Sequence, residues 1–69
     1  MENLNRIKDV LKEQGRSQIW LAEKLGKTKT SINVICSNVS QPSLSTLYKI
    51  AATLEVDVCD LLVRENENK

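Results

Sequence analysis

The sequence has no histidine and no phenylalanine, and only one tryptophan, one tyrosine, one proline, two glycines and two cysteines in 69 residues. Without histidine imidazole acid–base catalysis is excluded, and with only two distant cysteines besides, zinc ligation is not expected. With Trp20 and Tyr48 as the only aromatics, a core has to be built from Leu, Ile, Val and Ala. Cys36 and Cys59 are too few and too far apart for a disulfide framework and form no metal-ligand pair, so two reduced, partly buried thiols are expected. No stretch approaches the roughly 20 apolar residues of a membrane span, and the start, Met-Glu-Asn, lacks the basic and apolar regions of a signal peptide. An intracellular, cytoplasmic protein is expected. A phosphate-binding glycine loop and paired carboxylates are also missing, so neither an enzyme nor a cofactor is expected.

What is present suits one small domain near the lower size limit for a self-sufficient core. Charged residues make up 28% and hydrophobic residues 41%, a globular rather than a disordered balance. The net charge of +1 hides an asymmetry. Residues 1–34 carry seven basic and four acidic side chains, whereas residues 35–69 carry three and five. A basic front and an acidic back suit a protein that turns one face to a polyanion, although charge runs often mark nothing more than solvated surface.

Apolar spacing predicts five short helices and no strand. Leu4, Ile7, Val10 and Leu11 form the first stripe, with Gly15 as the stop. Ser17 is a good N-cap for a second helix bearing Leu21, Ala22 and Leu25, and Gly26 ends it in a left-handed turn. Thr28 can cap a third helix with Ile32 and Ile35 inward. After a polar loop over Asn38–Pro42, Ser43 caps a fourth with Leu44, Leu47, Ala51 and Leu54 on one face. Asp57 opens a short fifth with Val58, Leu61 and Leu62. The domain is expected to span 1–63, followed by a polar tail over 64–69 that should fray.

Two helices joined by a short glycine turn make a helix-turn-helix pattern, with the small Ala22 allowing close approach. If Ile32 and Ile35 face inward, Lys29, Thr30, Asn33, Val34 and Ser37 face outward, and no carboxylate lies between Glu23 and Glu55. Lysine can donate to guanine O6 or N7, asparagine can pair with adenine N6 and N7, and threonine or valine methyls can touch the thymine methyl. An ordinary solvated helix would more often carry Glu/Lys pairs four residues apart.

The segment SQIWLAEKLGKTKTSINVICSNVSQPSLSTLYKIAATLEVDVCDLL resembles the DNA-binding domain of phage repressor and Cro proteins, the XRE family of helix-turn-helix regulators. Its most specific parts are Gln18…Leu21-Ala22-Glu23-Lys24-Leu25-Gly26 and Pro42-Ser43-Leu44…Thr46-Leu47…Ile50-Ala51…Leu54. The resemblance covers roughly Leu4 to Leu62. It implies an all-α, lambda-repressor-like bundle whose third helix enters the major groove, with base contacts from Lys29, Thr30, Ser31, Asn33 and Val34. It further implies phosphate contacts from Ser17, Gln18, Lys27, Ser37, Asn38, Ser40 and Gln41.

Several positions depart from the family pattern. Cys36 replaces an acidic residue near the end of the third helix, and Asn38 replaces the loop's usual glycine. The loop lacks the family's common Lys or Arg, so a modest salt dependence is expected. Glu55 replaces a glycine after the fourth helix, so that turn is expected to differ slightly. Trp20 lies nearly opposite the Leu21–Ala22–Leu25 stripe and is expected to be partly buried against the first helix. Tyr48 is expected to edge the core.

Val56, Val58, Leu61, Leu62 and Val63 are more apolar residues than a short terminal segment usually hides. Family members commonly dimerise through this end, which sets two recognition helices about 34 Å apart, although core burial could also explain the run. The expected partners are double-stranded DNA and a second copy of the chain, and the expected function is repression by occlusion of a short palindromic site. Two alternatives stand beside it. One is a DNA-binding antitoxin, for which the seven residues after Leu62 are short; the other is an interaction module that has lost DNA binding.

Overall fold

The computed structural model describes residues 4–63, so the predicted tail over 64–69 lies outside the described residues. The elements are α1 (Ile7–Glu13), α2 (Gln18–Leu25), α3 (Lys29–Cys36), α4 (Leu44–Leu54) and a 3-10 helix over Val58–Leu61. The all-α expectation holds, but the fifth element is a single 3-10 turn. Only four residues separate Asp57 from the extended Leu62, and the turn closes through Asp60 N–H to the Asp57 carbonyl (2.9 Å) and Asp57 N–H to Asp60 Oδ2 (3.2 Å).

The three hydroxyl caps read from the sequence are formed. Ser17 Oγ accepts from Trp20 N–H (3.0 Å), Thr28 Oγ1 from Ser31 N–H (3.1 Å) and Ser43 Oγ from Thr46 N–H (3.3 Å). Each satisfies one of the donors that the first turn of a helix leaves without a partner. The four α-helices also end alike. Gly15, Gly26, Asn38 and Glu55 all have φ between 59° and 68°. In each case the next residue's N–H reaches back to a carbonyl of the last turn: Arg16 to Leu11, Lys27 to Ala22, Val39 to Val34 and Val56 to Ala51. Glu55 therefore keeps the turn that a glycine would make there.

All five elements meet in one aliphatic core, and each supplies a side chain with no exposure: Ile7, Leu21, Ile32, Ile50 and Leu61. Val10, Leu11, Ala22, Ile35, Cys36, Leu47, Ala51 and Leu54 complete it. Two predicted stripe members are not in it. Leu4 is 52% exposed because α1 begins three residues later, its chain being drawn into extended pairing with the other end. Arg6 N–H donates to the Leu61 carbonyl (2.7 Å), and Val63 N–H donates to that of Leu4 (3.1 Å). Leu44 is 69% exposed, since it stands on the first turn of α4 before that helix meets the core, and Ile50 takes the inward place.

Cys36 is buried and Cys59 is exposed. Burial pushes the Cys36 thiol from 9.0 up to about 11, with the Lys8 charge pulling weakly the other way.

Two predictions follow from the helix ends and the thiols. Glu55→Gly should raise stability in urea unfolding by roughly 0.5–1 kcal/mol by relieving a left-handed non-glycine residue. Asn38→Gly, at the same φ, should lower it, because the Asn38 side chain is bonded within the fold. A thiol reagent at neutral pH should modify Cys59 alone in the native chain and both cysteines in denaturant. The folded thiol of Cys36 has the raised pKa, so the stability it contributes is fully present below pH 9 and is lost as pH rises through about 11.

Candidate nucleic-acid interface

The turn between α2 and α3 is short because Gly26 takes a left-handed conformation (φ 67°) and Thr28 caps α3 two residues later. With Ile32, Ile35 and Cys36 buried, the opposite side of α3 presents Lys29, Thr30, Asn33 and Ser37 to solvent. Ser31 and Val34 are half-buried at its margins, and Val34 packs against the core, so less of it is offered outward than the helical spacing suggested. Around this face, Ser17, Lys27, Ser40 and Gln41 are exposed and Gln18 is half-buried. The face carries polar groups of both donor and acceptor type, with no acidic side chain in α2's first turn or in α3.

Asn38 differs from its expected place at the phosphates. It is 8% exposed, and its side chain is used inside the protein. Its Oδ1 accepts from the N–H groups of Leu4 (2.8 Å) and Asn5 (3.0 Å) and from Gln41 Nε2 (3.1 Å), while its Nδ2 donates to the Asn5 carbonyl (3.2 Å). Asn5, absent from the sequence-based candidates, is equally engaged at 4% exposure. Its Nδ2 donates to the Ile35 carbonyl (3.0 Å) and to Gln41 Oε1 (2.9 Å), and its Oδ1 accepts from Ile7 N–H (3.2 Å). These bonds tie the last turn of α3 and the following loop to the start of α1. Among the described residues no buried side-chain nitrogen or oxygen lacks a partner. The available signal was a polar residue set inside an apolar stripe just ahead of Ile7, where asparagine's capping habit matters more than helical period.

Trp20 is half-buried against the core and also lines a groove at the C-terminal end of α4, beside Thr53 and Glu55. The Arg16 guanidinium lies 4.1 Å from its ring centroid and the Lys24 ammonium 6.0 Å, within cation–π range. Tyr48 is 60% exposed and, with Ala52, Val56, Val58 and Cys59, lines a shallow apolar groove. Among the residues expected at a dimer interface, Leu61 is wholly buried in its own core, since the 3-10 turn drives it beneath α4. Val56 and Val58 are half-buried against that core, Val63 is half-buried, and Leu62 is 39% exposed. Among the described residues no group of three or more acidic or cysteine side chains could hold a metal ion, and no helix is long and apolar enough to cross a membrane.

Comparison with known proteins agrees with this geometry. The HTH-type transcriptional regulator SinR of Bacillus subtilis (strain 168) is 40% identical over 65 residues, which is 93% of this chain and 59% of that protein; SinR of Bacillus licheniformis matches equally. The chain thus spans about three-fifths of the length of these relatives. A crystal structure of a candidate DNA-binding protein from Bacteroides fragilis superposes with a TM-score of 0.85 at 52% identity, covering 87% of this chain and 97% of that one. The N-terminal DNA-binding domain of SinR from B. subtilis gives 0.73 at 41% identity over 87% and 88% of the two chains. A crystal structure of SinR in complex with DNA gives 0.70 at 42%, over 78% and 87%. The helix-turn-helix family model matches residues 7–61, from the first residue of α1 to the last of the 3-10 turn, and the chain belongs to that family.

Proposed function

We propose that this chain is a sequence-specific, double-stranded-DNA-binding transcriptional regulator that acts as a repressor by occluding a short, roughly palindromic site. The observation that carries this is the outward face of α3. It is exposed at Lys29, Thr30 and Asn33, lacks carboxylates, and is held on a helix-turn-helix frame shared with a domain solved in complex with DNA. In this arrangement Lys29 donates to guanine, Asn33 pairs with adenine, and Thr30 offers a methyl to thymine, with Ser31 and Val34 contributing at the edges. Ser17, Gln18 and Lys27 on one flank, and Ser37, Ser40 and Gln41 on the other, are suited to hold phosphates. Asn38 supports the second flank by fixing the loop.

The repressor acts as a homodimer on DNA. The shallow groove of Tyr48, Ala52, Val56 and Val58, together with the exposed part of Leu62, is the apolar surface that supports this pairing. The 1–63 segment is the binding unit in this proposal.

Selection of sites from randomised duplex DNA with the purified chain should enrich an inverted repeat with half-sites about ten base pairs apart. Asn33→Ala and Lys29→Ala should each weaken binding to that site by about 1–3 kcal/mol and relax preference at one position, with unchanged circular dichroism. No enrichment at low salt by a folded chain would point instead to a protein-interaction module.

A further inference from the structure

The loop after α3 has no cation: it reads Ser37-Asn38-Val39-Ser40-Gln41, and α3 has no basic residue in its last turn. A phosphate approaching there would meet the negative end of the α3 dipole. The expected cation is missing from the sequence neighbourhood, but the fold brings one in from elsewhere. A polar groove of about 260 Å³ runs between the first turn of α1 and the end of α3, lined by Asn5, Arg6, Lys8, Asp9, Cys36, Ser37 and Asn38. Arg6 is already engaged there, donating to Glu13 Oε2 (3.4 Å) and to the Asp60 carbonyl (3.5 Å). That is the only ion pair among the described residues, so Lys8 has no salt-bridge partner among them. The Lys8 side chain is exposed, and its field reaches the Cys36 thiol at the end of α3. Asp9 also lines the groove and offsets part of this charge.

We infer that Lys8, on α1, and Ser37, at the end of α3, form a binding site for a phosphate of the DNA backbone, in which Lys8 replaces the cation that the loop lacks. This rests on the proposed DNA-binding function and adds a contact from outside the helix-turn-helix. Ser37 supplies a neutral donor, the Asn5–Asn38 bonds hold that donor's helix end against α1, and the Lys8 ammonium neutralises the phosphate and the helix end together. Such a contact carries no base information, so it adds affinity equally on every sequence.

The test measures binding of the full 69-residue chain to its selected duplex and to an unrelated duplex, from 50 to 200 mM salt. Wild type, Lys8→Gln and Lys12→Gln are compared. Lys12 is the control because it is exposed on the far end of α1, where Gln14 Nε2 bonds to the Leu54 carbonyl at the other end of the bundle. Lys8→Gln should weaken binding to both duplexes by the same factor. Its plot of log affinity against log salt should be shallower by about one contact, so that the advantage of wild type shrinks about threefold across that range. Lys12→Gln should follow wild type. A Lys8→Gln slope equal to that of wild type, with the variant folded, would overturn the site while leaving DNA binding intact. Absence of salt-dependent binding by wild type would instead overturn the DNA-binding proposal, and this site with it.

Discussion

Two crossed carboxamides, Asn5 and Asn38, join parts of the chain 33 residues apart, and the position of the recognition helix depends on them. The Asn38 side chain bonds to the main chain of Leu4 and Asn5, the Asn5 side chain donates to the Ile35 carbonyl, and Gln41 bonds to both amides from the loop side. The helix-turn-helix frame fixes the front of α3 through Gly26 and the Thr28 cap. At its rear the Asn5 donor on the Ile35 carbonyl ties α3 to the start of α1. A buried amide is a demanding choice. Left half-satisfied it would cost about 1–3 kcal/mol, and satisfied it admits only one geometry. The aliphatic core, built on Leu, Ile and Val without an aromatic member, supplies cohesion with little direction. The amides supply the direction.

The parts of this fold that rest on local chemistry could be read from the sequence. Ser17, Thr28 and Ser43 cap because a hydroxyl placed before an apolar period accepts from the first turn, and Gly26 ends α2 because its backbone must turn left-handed. What could not be read depends on contacts between distant segments. Leu4 fits the period of α1 yet is drawn out of it, because its amide donates to Asn38 and its carbonyl accepts from Val63. Leu44 fits the period of α4, but a period does not say where along a helix the core begins. Asn38 stands where the family has a glycine, and asparagine tolerates the left-handed geometry found there, but its burial was not legible. The local preference is intrinsic to asparagine, whereas its burial requires Asn5 to arrive from the other end of the chain.

The candidate site divides the same way. Lys29, Thr30 and Asn33 lie outward because Ile32 and Ile35 lie inward, a matter of helical geometry alone. Whether Leu61 pairs with a second chain or fills its own core is a tertiary question, and the 3-10 turn answers it by burying the side chain completely. Charge behaves similarly. The basic residues of the first half of the sequence are spread over three helices and the turns beside them, and only folding brings α1 beside the uncharged loop that follows α3.

The antiparallel bridge between Asn5 and Leu62 has a topological meaning of its own. It brings residues 4 and 63 side by side, joined by one hydrogen bond, so the described chain is nearly a closed ring. A short linker could span that gap. For the same reason, tension applied to both ends would strip the bridging bonds one after another instead of loading them together. The first bonds lost would be those that lead to Asn5, and through it to the rear of the recognition helix.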